Sequence, residues 1–130
     1  MSKRILVIED DQQLRRLIRT FLQFEGYEVV EAQDGLQGFE IFQTQPIDLV
    51  ILDMIMPVKD GMETLMDLRV KSPDLGIIVM SGGDGTGPEP YLEIATRFGA
   101  SRILPKPFGR HGLIRAVQKT IESTIDPRRD

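Results

Sequence analysis

The sequence predicts an α/β fold, a doubly wound sheet of five parallel strands in the order 2-1-3-4-5, joined and covered by five helices. Three observations point to it. Short apolar runs recur at intervals along the chain, and stretches with a 3.6-residue hydrophobic period lie between them. The runs beginning at Ile5, Leu49 and Ile77 are apolar throughout instead of alternating. A strand needs that pattern when helices cover both of its faces, so these three belong in the middle of the sheet. At 130 residues the chain makes a single domain with one buried core.

The first strand, Ile5 to Ile8, ends in Glu9-Asp10-Asp11. Leu14, Leu17, Ile18, Phe21 and Leu22 mark the first helix, with Asp11 as its N-cap and Gly26 after its end. Tyr27 to Glu31, built around Val29-Val30, is more polar and suits an edge. Asp34-Gly35 opens a second helix carrying Leu36, Phe39 and Phe42. Leu49 to Leu52 form the third strand, closed by Asp53 and followed by Met54-Ile55-Met56-Pro57.

Asp60-Gly61 opens the third helix, with Met62, Leu65 and Leu68 inward. Ile77 to Met80 form the fourth strand, which ends on Ser81. The loop Gly82 to Pro88 is rich in glycine but lacks the Gly-Lys-Ser/Thr ending of a nucleotide loop. Leu92 and Ala95 mark the fourth helix, which stops at Gly99. Ile103-Leu104 is a short strand before Pro105 and fits the other edge. Gly109 precedes the last helix, with Leu113, Ile114, Val117 and Ile121 on its apolar face. The domain is expected over 1–124, with 125–130 as a loose tail after Pro127 stops the helix.

Composition narrows the functional classes. With no cysteine, disulfide scaffolds, thiolate zinc sites and thiol catalysis are excluded. A net charge of −4 and the lack of a basic run interleaved with aromatics argue against direct nucleic-acid binding. Arg15, Arg16 and Arg19 read as a solvated helix face. The N-terminal apolar run is too short for a signal peptide or a membrane span, so the expected location is cytoplasmic, with no membrane partner. His111 is expected to decorate the start of the last helix, and the methionines to fill core and loops.

In an open parallel sheet, ligands bind beyond the carboxyl ends of the strands. That rule collects Glu9, Asp10, Asp53, Ser81 and Lys106 at one end. Clustered carboxylates repel one another unless a cation neutralises them, and an all-oxygen set without His or Cys suits Mg²⁺. Lys106 adds a compact ammonium for a phosphoryl oxygen, Ser81 a hydrogen-bond donor, and Asp53 a carboxylate nucleophile. The chemistry these residues suggest is phosphoryl transfer to an aspartate.

These residues resemble the receiver domain of bacterial response regulators, the two-component signalling switches with a flavodoxin-like fold. Ile5 to Asp10 is similar to the family's first strand and acidic pair, and Leu52 to Pro57 with Asp60-Gly61 to its phosphoacceptor motif and turn. Met80-Ser81-Gly82 resembles its hydroxyl-bearing fourth strand, and Pro105-Lys106-Pro107-Phe108 its Lys-Pro signature. The resemblance implies that Asp53 accepts a phosphoryl group from the phosphohistidine of a histidine kinase or a histidine phosphotransfer protein. It implies Mg²⁺ held by Asp10, Asp53 and the backbone carbonyl of Ile55, with Glu9 helping through water. It assigns Ser81 and Lys106 to phosphoryl oxygens and makes the Lys106-Pro107 peptide cis.

The chain departs from the family at Ile103, where an aromatic switch residue is common. Ile55, Gly82 and Gly83 offer no side chain to position a hydrolytic water, so a long-lived phosphoaspartate is expected. A Mg²⁺-dependent aspartyl-phosphate phosphatase would place a second Asp where Ile55 stands and would add a cap domain. A flavin carrier would not tolerate Glu9-Asp10-Asp11 beside the flavin phosphate. A pseudo-receiver used only for binding would not need Asp10, Asp53, Ser81 and Lys106 together. With no further domain after the last helix, the expected output is a contact with a downstream protein, through the face around Tyr91 to Phe98, Ile103 and Leu113 to Ile121.

Overall fold

The computed structural model describes residues 2–54, 60–81 and 89–125. Strands β1 (Arg4–Ile8), β2 (Glu28–Ala32), β3 (Leu49–Asp53), β4 (Gly76–Ser81) and β5 (Arg102–Pro105) form one parallel sheet in the order β2-β1-β3-β4-β5. Helices α1 (Gln12–Phe24), α2 (Gly35–Thr44), α3 (Gly61–Lys71), α4 (Glu89–Arg97) and α5 (Arg110–Ile125) alternate with them. The doubly wound fold and its strand order are as the sequence predicts.

Alternation along each strand divides the core into two layers. Ile5, Val7, Leu49, Ile51, Ile78 and Met80 pack with Ile18 and Leu22 of α1 and Leu113 and Val117 of α5. Leu6, Ile8, Val50, Leu52, Ile77 and Val79 pack on the other face with Leu65 and Leu68 of α3 and Ala95 of α4. Every residue of β3 and β4 is buried, whereas β2 is mostly half-buried and β5 buries only Leu104. The contrast follows from sheet position, since only the central strands are covered on both faces.

The helix starts are local. Asp11 accepts from the backbone N–H groups of Gln13 and Leu14, Asp34 from Gln37 and Asp60 from Glu63, each carboxylate satisfying amides that lack an intrahelical partner. Farther from the site, Arg69 of α3 donates to the carbonyls of Ser72, Pro73, Leu75 and Gly99. Gly99 has φ +114° and a Cβ there would strike that guanidinium, so glycine satisfies both the backbone and the packing. No helix among the described residues is long and apolar enough to cross a membrane.

Candidate functional site

Four neighbouring strands, β1, β3, β4 and β5, deliver their carboxyl ends to one edge of the sheet. Glu9 follows β1, and its N–H donates to the Ala32 carbonyl at 3.0 Å, prolonging the β1-β2 ladder by one bond. Asp53 is the last residue of β3 and lies beside Met80, and Ser81 ends β4. Lys106 follows β5, with its backbone N–H 3.3 Å from the Ser81 carbonyl. The Lys106-Pro107 peptide is cis.

Burial separates the acids. Glu9 is 1% exposed and Asp53 5%, while Asp10 is exposed. Lys106 Nζ lies 3.1 Å from Glu9 Oε1 and 3.4 Å from Asp53 Oδ1. One carboxylate oxygen from each of Glu9, Asp10 and Asp53 falls within 4.8 Å of the others. Among the described residues, three carboxylates therefore cluster where one ammonium reaches two of them.

This imbalance shows in the protonation equilibria. Burial pushes the Glu9 carboxyl up to about 7, and the Asp53 charge adds to the shift; the Asp11 N–H and the Lys106 ammonium oppose it. Burial alone would lower Lys106, but Asp53 and Glu9 outweigh it, so its pKa is raised and it stays charged. An arrangement with surplus negative charge, all-oxygen donors and one fixed cation suits a hard divalent ion and an incoming anionic group.

Two features escape the sequence reading. Arg15 belongs to no solvated face: its side chain is 13% exposed, Nε donates to Glu31 Oε1 at 2.8 Å, and Nη1 donates to the Glu9 carbonyl at 2.8 Å. Arg19, half-exposed, takes the other Glu31 oxygen at 2.7 Å, and Arg16 is exposed. The available signal was spacing, because Arg15 stands three and seven residues before the inward Ile18 and Leu22. Gly61 is more than a turn residue. A Cβ there would lie 2.4 Å from Met54 Cα and 2.5 Å from the Asp53 carbonyl oxygen, so α3 starts against the backbone that carries Asp53.

The Ile55 carbonyl and the segment holding Gly82 and Gly83 lie outside the described residues. Asp11 is the N-cap of α1, and His111 is exposed in the first turn of α5, both as expected. Ile103 is half-buried, paired with Val79, and packed against the core layer that contains Ala95 of α4.

The response regulator receiver domain family matches residues 5–118. Response regulator MprA from Mycobacterium sp. strain KMS is 35% identical over 124 residues, which cover 95% of this chain and 53% of the relative. The chain thus spans about half the length of the curated relatives it matches. Among solved structures, a response regulator receiver domain protein from Clostridium thermocellum has TM-score 0.86 at 30% identity, covering 95% of this chain and 97% of its own. A CheY-like receiver domain protein from Methanospirillum hungatei JF-1 has TM-score 0.90 at 23% identity, covering 96% and 98%, a likeness of fold.

Proposed function

We propose, from the premise that the chain belongs to the response regulator receiver domain family, that Asp53 is the phosphoacceptor of a Mg²⁺-dependent signalling switch. The observation that carries the reading is Asp53 itself. It is a nearly buried carboxylate at the end of a central strand, grouped with Glu9 and Asp10 and 3.4 Å from Lys106.

The donor set fits the metal. Glu9, Asp10 and Asp53 offer only oxygens, and among the described residues the Lys106 ammonium leaves surplus negative charge there for a divalent cation to balance. Asp10 and Asp53 would hold Mg²⁺ with the Ile55 carbonyl, and Glu9 would act through water. When bound, the ion supplies charge neutralisation for the phosphoryl oxygens.

An Asp53 carboxylate oxygen attacks the phosphorus of a partner's phosphohistidine. The O–P bond forms as the P–N bond breaks, and its electron pair returns to the imidazole. Lys106 moves from Glu9 toward a phosphoryl oxygen, and the Ser81 hydroxyl donates to another. The partner is a histidine kinase or a histidine phosphotransfer protein. An open pocket lined by Leu14, Pro107 and Phe108 adjoins Lys106 and offers apolar surface against which the partner's imidazole-bearing segment would rest.

The phosphorylated form presents an altered protein-binding surface. The face around α4, β5 and α5 exposes Ile94 and Phe98 beside half-buried Ile103, apolar groups that a downstream protein could cover. Incubation with a small acyl phosphate and Mg²⁺, followed by intact mass measurement, tests the reading. Wild type should gain one phosphoryl group and Asp53→Asn none; no adduct on wild type, or an equal one on the variant, overturns it.

A further inference from the structure

We infer that Arg15, braced by Glu31, is a positioning residue for the Asp10 carboxylate. The inference rests on the reading of Asp10 as a Mg²⁺ ligand and adds a residue that the ligand set does not contain.

The peptide joining Glu9 to Asp10 is the short connection between β1 and α1. Its two ends are held differently. The Glu9 N–H is tied to the Ala32 carbonyl of β2, and the Glu9 side chain is tied to the Asp11 N–H and Lys106. Asp10 is exposed. What holds the plane of the peptide leading into it is the Glu9 carbonyl, and that carbonyl accepts from Arg15 Nη1 at 2.8 Å. A rotation of this peptide would swing Asp10 relative to Asp53.

Arg15 can do this because its fork is fixed from behind. Nε is bound to Glu31 Oε1 on β2, and Arg19 holds the second oxygen, so the Glu31 carboxylate is clamped between two guanidiniums. Burial pushes the Glu31 carboxyl up, but the hydrogen bonds and charges of Arg15 and Arg19 outweigh it and keep its pKa below the usual range. The brace is therefore ionised wherever the switch would work. Lysine could not replace the fork, since one ammonium cannot reproduce the paired N–H directions of a planar guanidinium.

Charge and geometry make opposite predictions here. Arg15 is a cation near a cation site, so if it acted only through charge its removal would tighten Mg²⁺ binding. If it positions Asp10, its removal weakens binding, and outer partners of metal ligands are commonly worth about tenfold in affinity or more.

The test is Mg²⁺ titration of the full chain by calorimetry or NMR, for wild type, Arg15→Met and Arg15→Lys, with thermal unfolding followed in parallel. Wild type should bind, Arg15→Met should bind about tenfold more weakly, and Arg15→Lys should also weaken although its charge is unchanged. Tighter or equal binding in Arg15→Met overturns the inference, as does wild-type affinity in Arg15→Lys. Should Arg15→Met fail to fold, Arg15→Lys decides alone. Failure of wild type to bind Mg²⁺ overturns the metal reading itself, a separate result from an unaffected variant.

Discussion

Two clusters of charge meet at Glu9, one through its side chain and the other through its carbonyl, and they are built on opposite principles. In one, Glu9, Asp10 and Asp53 cluster and the Lys106 ammonium reaches Glu9 and Asp53. In the other, Glu31 is shared by Arg15 and Arg19. The first has more acid than base and the second more base than acid. Their carboxyls respond in opposite directions, Glu9 raised to about 7 chiefly by burial and Glu31 lowered because two guanidiniums overcome its burial. The satisfied cluster ties α1 to β2 and holds the Glu9 carbonyl. An unsatisfied one stores a demand for cation, which is what a site needs and a scaffold avoids.

The largest expected effect comes from disturbing the backbone under the acidic cluster while leaving its charges alone. Gly61→Ala drives a methyl into Met54 Cα and the Asp53 carbonyl, both backbone and unable to turn aside. It should cost about 1 to 3 kcal/mol in denaturant unfolding and reduce the rate of phosphoryl adduct formation, because Asp53 must shift. Unchanged stability together with an unchanged rate would show that the close approach does not hold Asp53.

Glu31→Gln breaks the satisfied cluster. At neutral pH it should lose about 1.5 kcal/mol, the low end of the range for hydrogen bonds made to charged groups, because Arg19 is half-exposed. The sign with pH follows from linkage. A carboxyl whose folded pKa is depressed contributes stability above its unfolded pKa and loses it as pH falls through the folded value. The gap between wild type and Glu31→Gln should therefore close on acidification, measurable by urea unfolding at several pH values. A gap that widened toward acid would contradict the ion-pair account.

The smallest effect is a titration. In metal-free protein the Glu9 carboxyl should titrate near 7 by NMR, and Asp53→Asn should move it downward, since the Asp53 charge is one of the groups holding it up. Because the folded value lies above the unfolded one, this group favours folding at low pH and the benefit is lost as pH rises through about 7. An upward or absent shift in Asp53→Asn would break the contrast between the clusters.

Much of this was legible before any tertiary information. The continuous apolar runs at Ile5, Leu49 and Ile77 became the three inner strands, and the polar run at Val29-Val30 became an edge. Asp11, Asp34 and Asp60 cap helices because capping is settled within three or four residues. That Glu9, Asp10, Asp53 and Lys106 gather in one place was legible through their position at strand ends. Arg15 was misread because a run of basic residues on a helix says nothing about an acid one strand away. Gly61 looked like a turn signal alone because the backbone it touches arrives from β3.

Hydrophobic period and strand-end chemistry thus determined which residues form the sheet and which gather at its carboxyl edge, since both depend on order along the chain. Only the tertiary structure decided which charges are balanced. It set Lys106 between Glu9 and Asp53, turned Arg15 inward onto Glu31 and the Glu9 carbonyl, and buried two of the three acids. The physical reason is that charge pairing and desolvation depend on distance and exclusion of water among residues far apart in sequence, quantities that no local pattern contains.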